Sequence, residues 1–76
     1  NMSDLSMDLN NLREDIKDEL LAINHYQSHI DATDKPEIQK LMGHIRDEEK
    51  EHVAELVKLL RQLDATEDEK FQKEGI

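Results

Sequence analysis

Seventy-six residues allow one domain and too little buried apolar surface for comfortable stability alone, so a second copy, a metal or disulfides would have to help. The chain has no cysteine, which removes disulfides, thiolate metal sites and thiol catalysis. Nineteen acidic against ten basic residues give a net charge of −9, which argues against nucleic acid and anionic membrane partners and favours cations.

The first periodic stretch runs from about residue 7 to residue 32. Leu5, Leu9, Leu12, Ile16, Leu20, Ile23 and Ile30 recur at steps of three, four and seven, one stripe of an α-helix. Ser6 is the expected cap, and Asp8 puts a negative charge in the first turn, where the helix dipole favours it. The segment Asp31 to Glu37 reads as a turn and a helix start, because Pro36 is tolerated only in a first turn. Asp34 followed by Glu37 has the spacing of a capping box. So short a connection makes the flanking helices antiparallel neighbours.

The second stretch spans about residues 36–63, with Ile38, Leu41, Ile45, Leu56, Leu59, Leu60 and Leu63 on its stripe. A helix of that length is roughly 40 Å long. Gly43 lies inside it at a cost of about 1 kcal/mol relative to Ala. Either a neighbouring helix approaches closely there or the defect is tolerated. Asp64-Ala65-Thr66 breaks the pattern, and a short third helix over about 66–74 follows, with Phe71 as its large apolar anchor and Gly75 as its stop. No run approaches the ~20 apolar residues of a membrane span and no secretory signal is visible, so a cytoplasmic chain is expected. The expected fold class is all-α: an antiparallel two-helix hairpin plus a short C-terminal helix, a single domain over residues 1–76.

The stripe of the second helix passes through its middle as Ile45, Glu49, His52 and Leu56. Glu49 and His52 therefore take core positions one turn apart on one face. In the first helix the walk gives Ile16, Glu19 or Leu20, and Ile23, and the hairpin sets Glu19 opposite that pair. An ionised carboxylate in a core costs several kcal/mol unless it is protonated, paired or metal-bound. Carboxylate with imidazole suits Fe, Mn or Zn. Two helices cannot enclose such a site. Two chains would supply four glutamates and two histidines, the inventory of ferritin-like di-metal bundles, so a homodimer closing a four-helix bundle is expected.

The runs Asp18-Glu19-Leu20-Leu21-Ala22-Ile23-Asn24-His25-Tyr26 and Arg46-Asp47-Glu48-Glu49-Lys50-Glu51-His52 resemble the two halves of the encapsulated ferritin family, over roughly residues 12–63. The resemblance implies a half-length ferritin-like chain assembled as a ring-shaped decamer, with a ferroxidase centre at one class of dimer interface, carried as cargo inside an encapsulin shell. It implies Glu19, Glu49 and His52 as ligands of a di-iron centre with two irons per dimer, Glu49 being the bridging carboxylate. It implies a tyrosine near the centre at Tyr26 and an outer cation site at Asp18. Two positions depart from the pattern: Leu21 stands where a second outer acid is expected, and His25 where tryptophan is common. The sequence ends at Gly75-Ile76 without the targeting tail expected of a cargo protein.

The expected activity is oxidation of Fe(II) to Fe(III) by O₂ for iron storage or detoxification. A rubrerythrin-like peroxide reductase is the rival of the same class, disfavoured by the absence of cysteine for an electron-transfer centre. A structural or regulatory helical-hairpin oligomer with a non-redox divalent cation site is the rival of a different class. Ca²⁺ avoids imidazole, so the metal held at His52 separates the two. His29, His44, Glu48 and Glu51 read as solvated surface groups.

Overall fold

Helices account for nearly all of the chain, in a computed structural model that describes residues 4–76. They are α1 (Leu5–Ala32), α2 (Pro36–Leu63) and α3 (Ala65–Lys73). The described residues contain no strand, and none of the helices is long and apolar enough to cross a membrane.

α1 begins two residues before the expected start. Its N-cap is Asp4 rather than Ser6: the Asp4 carboxylate accepts from the Ser6 amide at 2.9 Å and from its hydroxyl at 2.8 Å. Asp and Ser cap about equally well, so two candidates two residues apart left the boundary open. Those Ser6 bonds hold the Asp4 carboxyl below its usual value, the hydroxyl contributing most. α2 has the expected bounds, but the Asp34–Glu37 capping box does not form. Pro36 occupies the first turn and makes Lys35 the N-cap, with no side-chain cap bond. The residue before a proline is driven to extended backbone, and Lys35 sits at φ −89°, ψ 113°. Thr33 serves the turn instead, its hydroxyl accepting from the Lys35 amide at 3.3 Å and its carbonyl from the Gln39 side chain at 2.9 Å.

α3 also starts one residue early, because Asp64 caps it by accepting from the Glu67 amide at 3.0 Å. At its end Gly75 adopts φ +79°. The Gly75 amide donates to the Gln72 carbonyl and the Ile76 amide to the Phe71 carbonyl, both at 3.0 Å, the Schellman arrangement that only a residue free to adopt positive φ permits cheaply. Two arginines hold α3. Arg13 of α1 donates to Asp64 at 2.7 Å and to Glu67 at 2.9 Å. Arg61 of α2 pairs with Asp68, donates to the Ile76 carbonyl at 2.9 Å, and lies 4.9 Å above the Phe71 ring.

The three helices form a single layer. The chain's extents are 47 × 36 × 14 Å, the last little more than one helix diameter. The radius of gyration is 15.9 Å; a compact chain of this length would give about 11 Å. Ile16, Ile23, Ile38, Ile45 and Leu56 are only half covered, and among the described residues Leu60 alone is buried. Leu20, Leu21, Leu41, Leu59 and Leu63 stay exposed at between 42% and 59%. Gly43 marks no close approach within the chain, since a Cβ there would meet Arg46 at 3.7 Å and Ile30 at 4.0 Å, ordinary contact distances.

Candidate metal centre

Glu49 and His52 are one turn apart on α2, so both side chains leave the same face. Glu19 follows Ile16 by three residues on α1 and precedes Ile23 by four, and both isoleucines are half-buried. The antiparallel hairpin brings the three groups together. One donor atom from each falls within a 4.8 Å cluster. His52 Nδ1 lies 3.5 Å from Glu19 Oε2 and 3.5 Å from Glu49 Oε2. Donors sharing one ion at bonds of ~2.0–2.2 Å sit about 3–3.5 Å apart, so the two spacings to His52 fit a common cation, and the wider cluster of 4.8 Å would have to draw in slightly around it.

Burial is graded across the cluster. The Glu49 side chain is 17% exposed, Glu19 26% and His52 48%. Glu19 Oε2 is itself sealed from solvent and has no hydrogen-bond partner among the described residues. A buried carboxylate oxygen without a donor is costly, and a cation bound between Glu19, Glu49 and His52 would satisfy it. Two carboxylates with one imidazole form a mixed oxygen and nitrogen donor set, which suits iron, manganese or zinc better than calcium.

The other residues singled out from sequence lie away from this cluster. The Asp18 side chain is 69% exposed and has Lys17 Nζ 3.9 Å away. His25 is exposed and meets Tyr26 edge to face, with ring centroids 5.5 Å apart. Tyr26, half-buried, stands two turns along α1 from Glu19. Leu21 is exposed. Glu48 accepts from the exposed His44 at 2.8 Å.

One further acidic residue lies beside the cluster. Glu55 lines an open hollow of about 210 Å³ together with Glu19, His52 and Leu56. The signal was the repeated step of three in Glu49, His52 and Glu55, hidden because Glu55 falls off the apolar stripe. A larger hollow of about 510 Å³ lies between α2 and α3, lined by Lys58, Arg61 and Asp68 among others. Its cations and single carboxylate make it unsuited to a metal ion.

The EncFtn-like family model matches residues 1–74. The chain is 39% identical over 71 residues to the encapsulin nanocompartment cargo protein EncB of Myxococcus xanthus, covering 93% of this chain and 44% of that protein. It is 45% identical over 53 residues to the cargo protein EncC of the same organism, covering 70% of this chain and 41% of that one. It is 42% identical over 50 residues to an encapsulated ferritin-like protein of Rhodospirillum rubrum, covering 66% of this chain and 36% of that one. The chain thus spans less than half the length of these curated relatives. Among solved structures, protein ne0167 of Nitrosomonas europaea superposes with a TM-score of 0.85 at 30% identity, over 95% of this chain and 79% of that one.

Proposed function

The chain belongs to the EncFtn-like family, and from that membership and the Glu19–Glu49–His52 cluster we propose that it is a ferroxidase. Fe(II) is the substrate and O₂ the electron acceptor, at a two-iron site shared between two copies of the chain. The observation that carries the reading is the sealed Glu19 oxygen, without a hydrogen bond among the described residues, 3.5 Å from the His52 ring nitrogen that also meets Glu49.

One chain offers three donor residues on an open layer, too few to hold an iron pair. A second copy laid on the exposed leucines would double the set to four glutamates and two histidines and exclude water from it. Glu49, the most covered of the three, would serve as the carboxylate shared by two ions. Glu19 and His52 complete the donor set of each. Two adjacent Fe(II) ions supply the two electrons that O₂ takes up, and the carboxylates balance the positive charge gained on oxidation. Iron thus converted is passed to a store. The protein acts in the cytoplasm as cargo of an encapsulin shell; the naming of the Myxococcus relatives as encapsulin nanocompartment cargo supports this part of the reading.

The test is native mass spectrometry with anaerobic Fe(II), followed by stopped-flow oxidation. The expected result is two irons per pair of chains and rapid oxidation, both lost in Glu49→Ala and in His52→Ala. Full oxidation in either variant would remove that residue from the site. A wild-type oligomer that takes up no iron would overturn the reading.

A further inference from the structure

We propose that His25 and His29 form a second metal site, a two-imidazole chelate on the surface of α1 for a divalent ion of the zinc, copper and nickel class. It is separate from the Glu19–Glu49–His52 cluster and stands whether or not that cluster oxidises iron.

The two histidines are four residues apart in the last two turns of α1. That step advances about 6 Å and turns about 40°, so both side chains leave one face. Their Cβ atoms are then about 5–6 Å apart. Both rings can swing onto one ion from there, at Zn–N bonds of about 2.0–2.1 Å. The same histidine-to-histidine step holds zinc in the His-Glu-x-x-His helix motif. Glu19 precedes His25 by six residues, about 9 Å along the axis and 120° around it. The pair therefore lies on a different side of α1 from the inner donors.

Availability singles these two out among the four histidines. His44 is bonded to Glu48 at 2.8 Å, and His52 lies 3.5 Å from both Glu19 and Glu49. His25 and His29 are exposed and make no hydrogen bond or ion pair among the described residues. His25 meets only the Tyr26 ring, edge to face at 5.5 Å, which steadies the imidazole without covering it. The polar side chains between them are engaged elsewhere: Gln27 donates to Asp31 and the Ser28 hydroxyl to the Asn24 carbonyl, both at 3.0 Å.

Two imidazoles completed by water are a nitrogen donor set with open positions. Such a set suits Zn(II), Cu(II) and Ni(II) and not Mg(II) or Ca(II), which take oxygen. Fe(II) stands below Ni(II) and Cu(II) in the order of affinities. The pair and the carboxylate-rich inner cluster thus favour different ions. The net charge of −9 raises the local concentration of any dication around the chain.

The probe is Zn(II) alone, added to the full metal-free chain and followed by NMR of the four histidine rings. The His25 and His29 rings should shift together with one midpoint, and Mg(II) at the same concentrations should shift neither. His25→Gln should raise the Zn(II) midpoint read at His29 by at least about ten-fold, because the remaining imidazole loses a neighbour held at high effective concentration. His29→Gln should do the same at His25, while His44→Gln leaves both unchanged. In His52→Ala, which takes the imidazole from the inner cluster, the pair should keep its midpoint. Circular dichroism checks that each variant keeps its helices. Separate midpoints for the two rings would overturn the chelate, as would unchanged binding in either single variant. Zn(II) that moved the His52 ring alone would overturn the site. Loss of the pair's binding in His52→Ala would overturn its independence from the inner cluster.

Discussion

Oε2 of Glu19 on α1 lies 3.5 Å from Nδ1 of His52 on α2, sealed from water and without a hydrogen bond among the described residues. The two helices thus face each other across an acceptor that lacks a hydrogen bond. Elsewhere the interhelical polar contact is satisfied: Arg46 donates to Gln27 at 2.7 Å. The contrast sets the centre of the hairpin apart, and on the proposed function a cation there would satisfy the Glu19 oxygen.

Glu19→Gln tests this directly. The amide keeps the shape and removes the charge. Metal-free protein should be as stable as wild type or more so, by up to about 1 kcal/mol in urea titration. Co(II) or Fe(II) affinity should fall at least about ten-fold by calorimetry. A loss of apo stability with unchanged metal affinity would make Glu19 a structural residue.

Metal and assembly should be linked, since each site is proposed to draw ligands from two chains. Adding Co(II) should move sedimentation-velocity distributions toward the oligomer. Leu20→Lys and Leu59→Lys, at positions 49% and 42% exposed, should move them back. Losing the burial of one leucine is worth about 1.5–3 kcal/mol, so the dissociation constant should rise at least about ten-fold. A chain that stays monomeric while binding metal at full affinity would exclude a shared site.

At Gly43 a methyl group meets only ordinary contacts within the chain. Gly43→Ala should therefore stabilise the folded chain by about 0.5–1 kcal/mol, through helix propensity and a less flexible unfolded state. Chemical denaturation measures it. A destabilisation confined to the oligomer would show that a second chain passes close to this position.

The hold on α3 is ionic and should fail in acid. Hydrogen bonds from Arg61 and then Gln72 keep the Asp68 carboxyl below its ordinary value of 3.8. A carboxylate with a lowered folded value contributes fully above the unfolded value and loses that contribution as pH falls through the folded one. Amide exchange in α3 should accordingly accelerate below about pH 4 while α1 and α2 hold. Asp68→Asn should bring the same loosening to neutral pH. Equal protection of α3 at pH 3 and pH 7 would contradict this.

The sequence by itself determined the elements and the candidates. Leucines and isoleucines at steps of three and four mark α1 and α2, because a helix with one covered face must repeat with its own 3.6-residue period. Pro36 set the start of α2 and Gly75 the end of α3, through backbone restrictions that belong to the residue itself. Glu49 and His52 were legible as a pair because their spacing alone puts them on one face. Caps were less legible. Asp4 and Ser6 offer nearly the same hydrogen bond, and the choice rests on a free-energy difference too small to read from residue type.

Tertiary structure decided the rest. Only the register of the hairpin brings Glu19 within 3.5 Å of a histidine 33 positions away in the chain. Only the packing around it seals one of its oxygens, because burial depends on neighbours contributed by the other helix. Glu55 meets Glu19 for the same reason: the hollow whose wall the two share exists only once α1 lies across from α2.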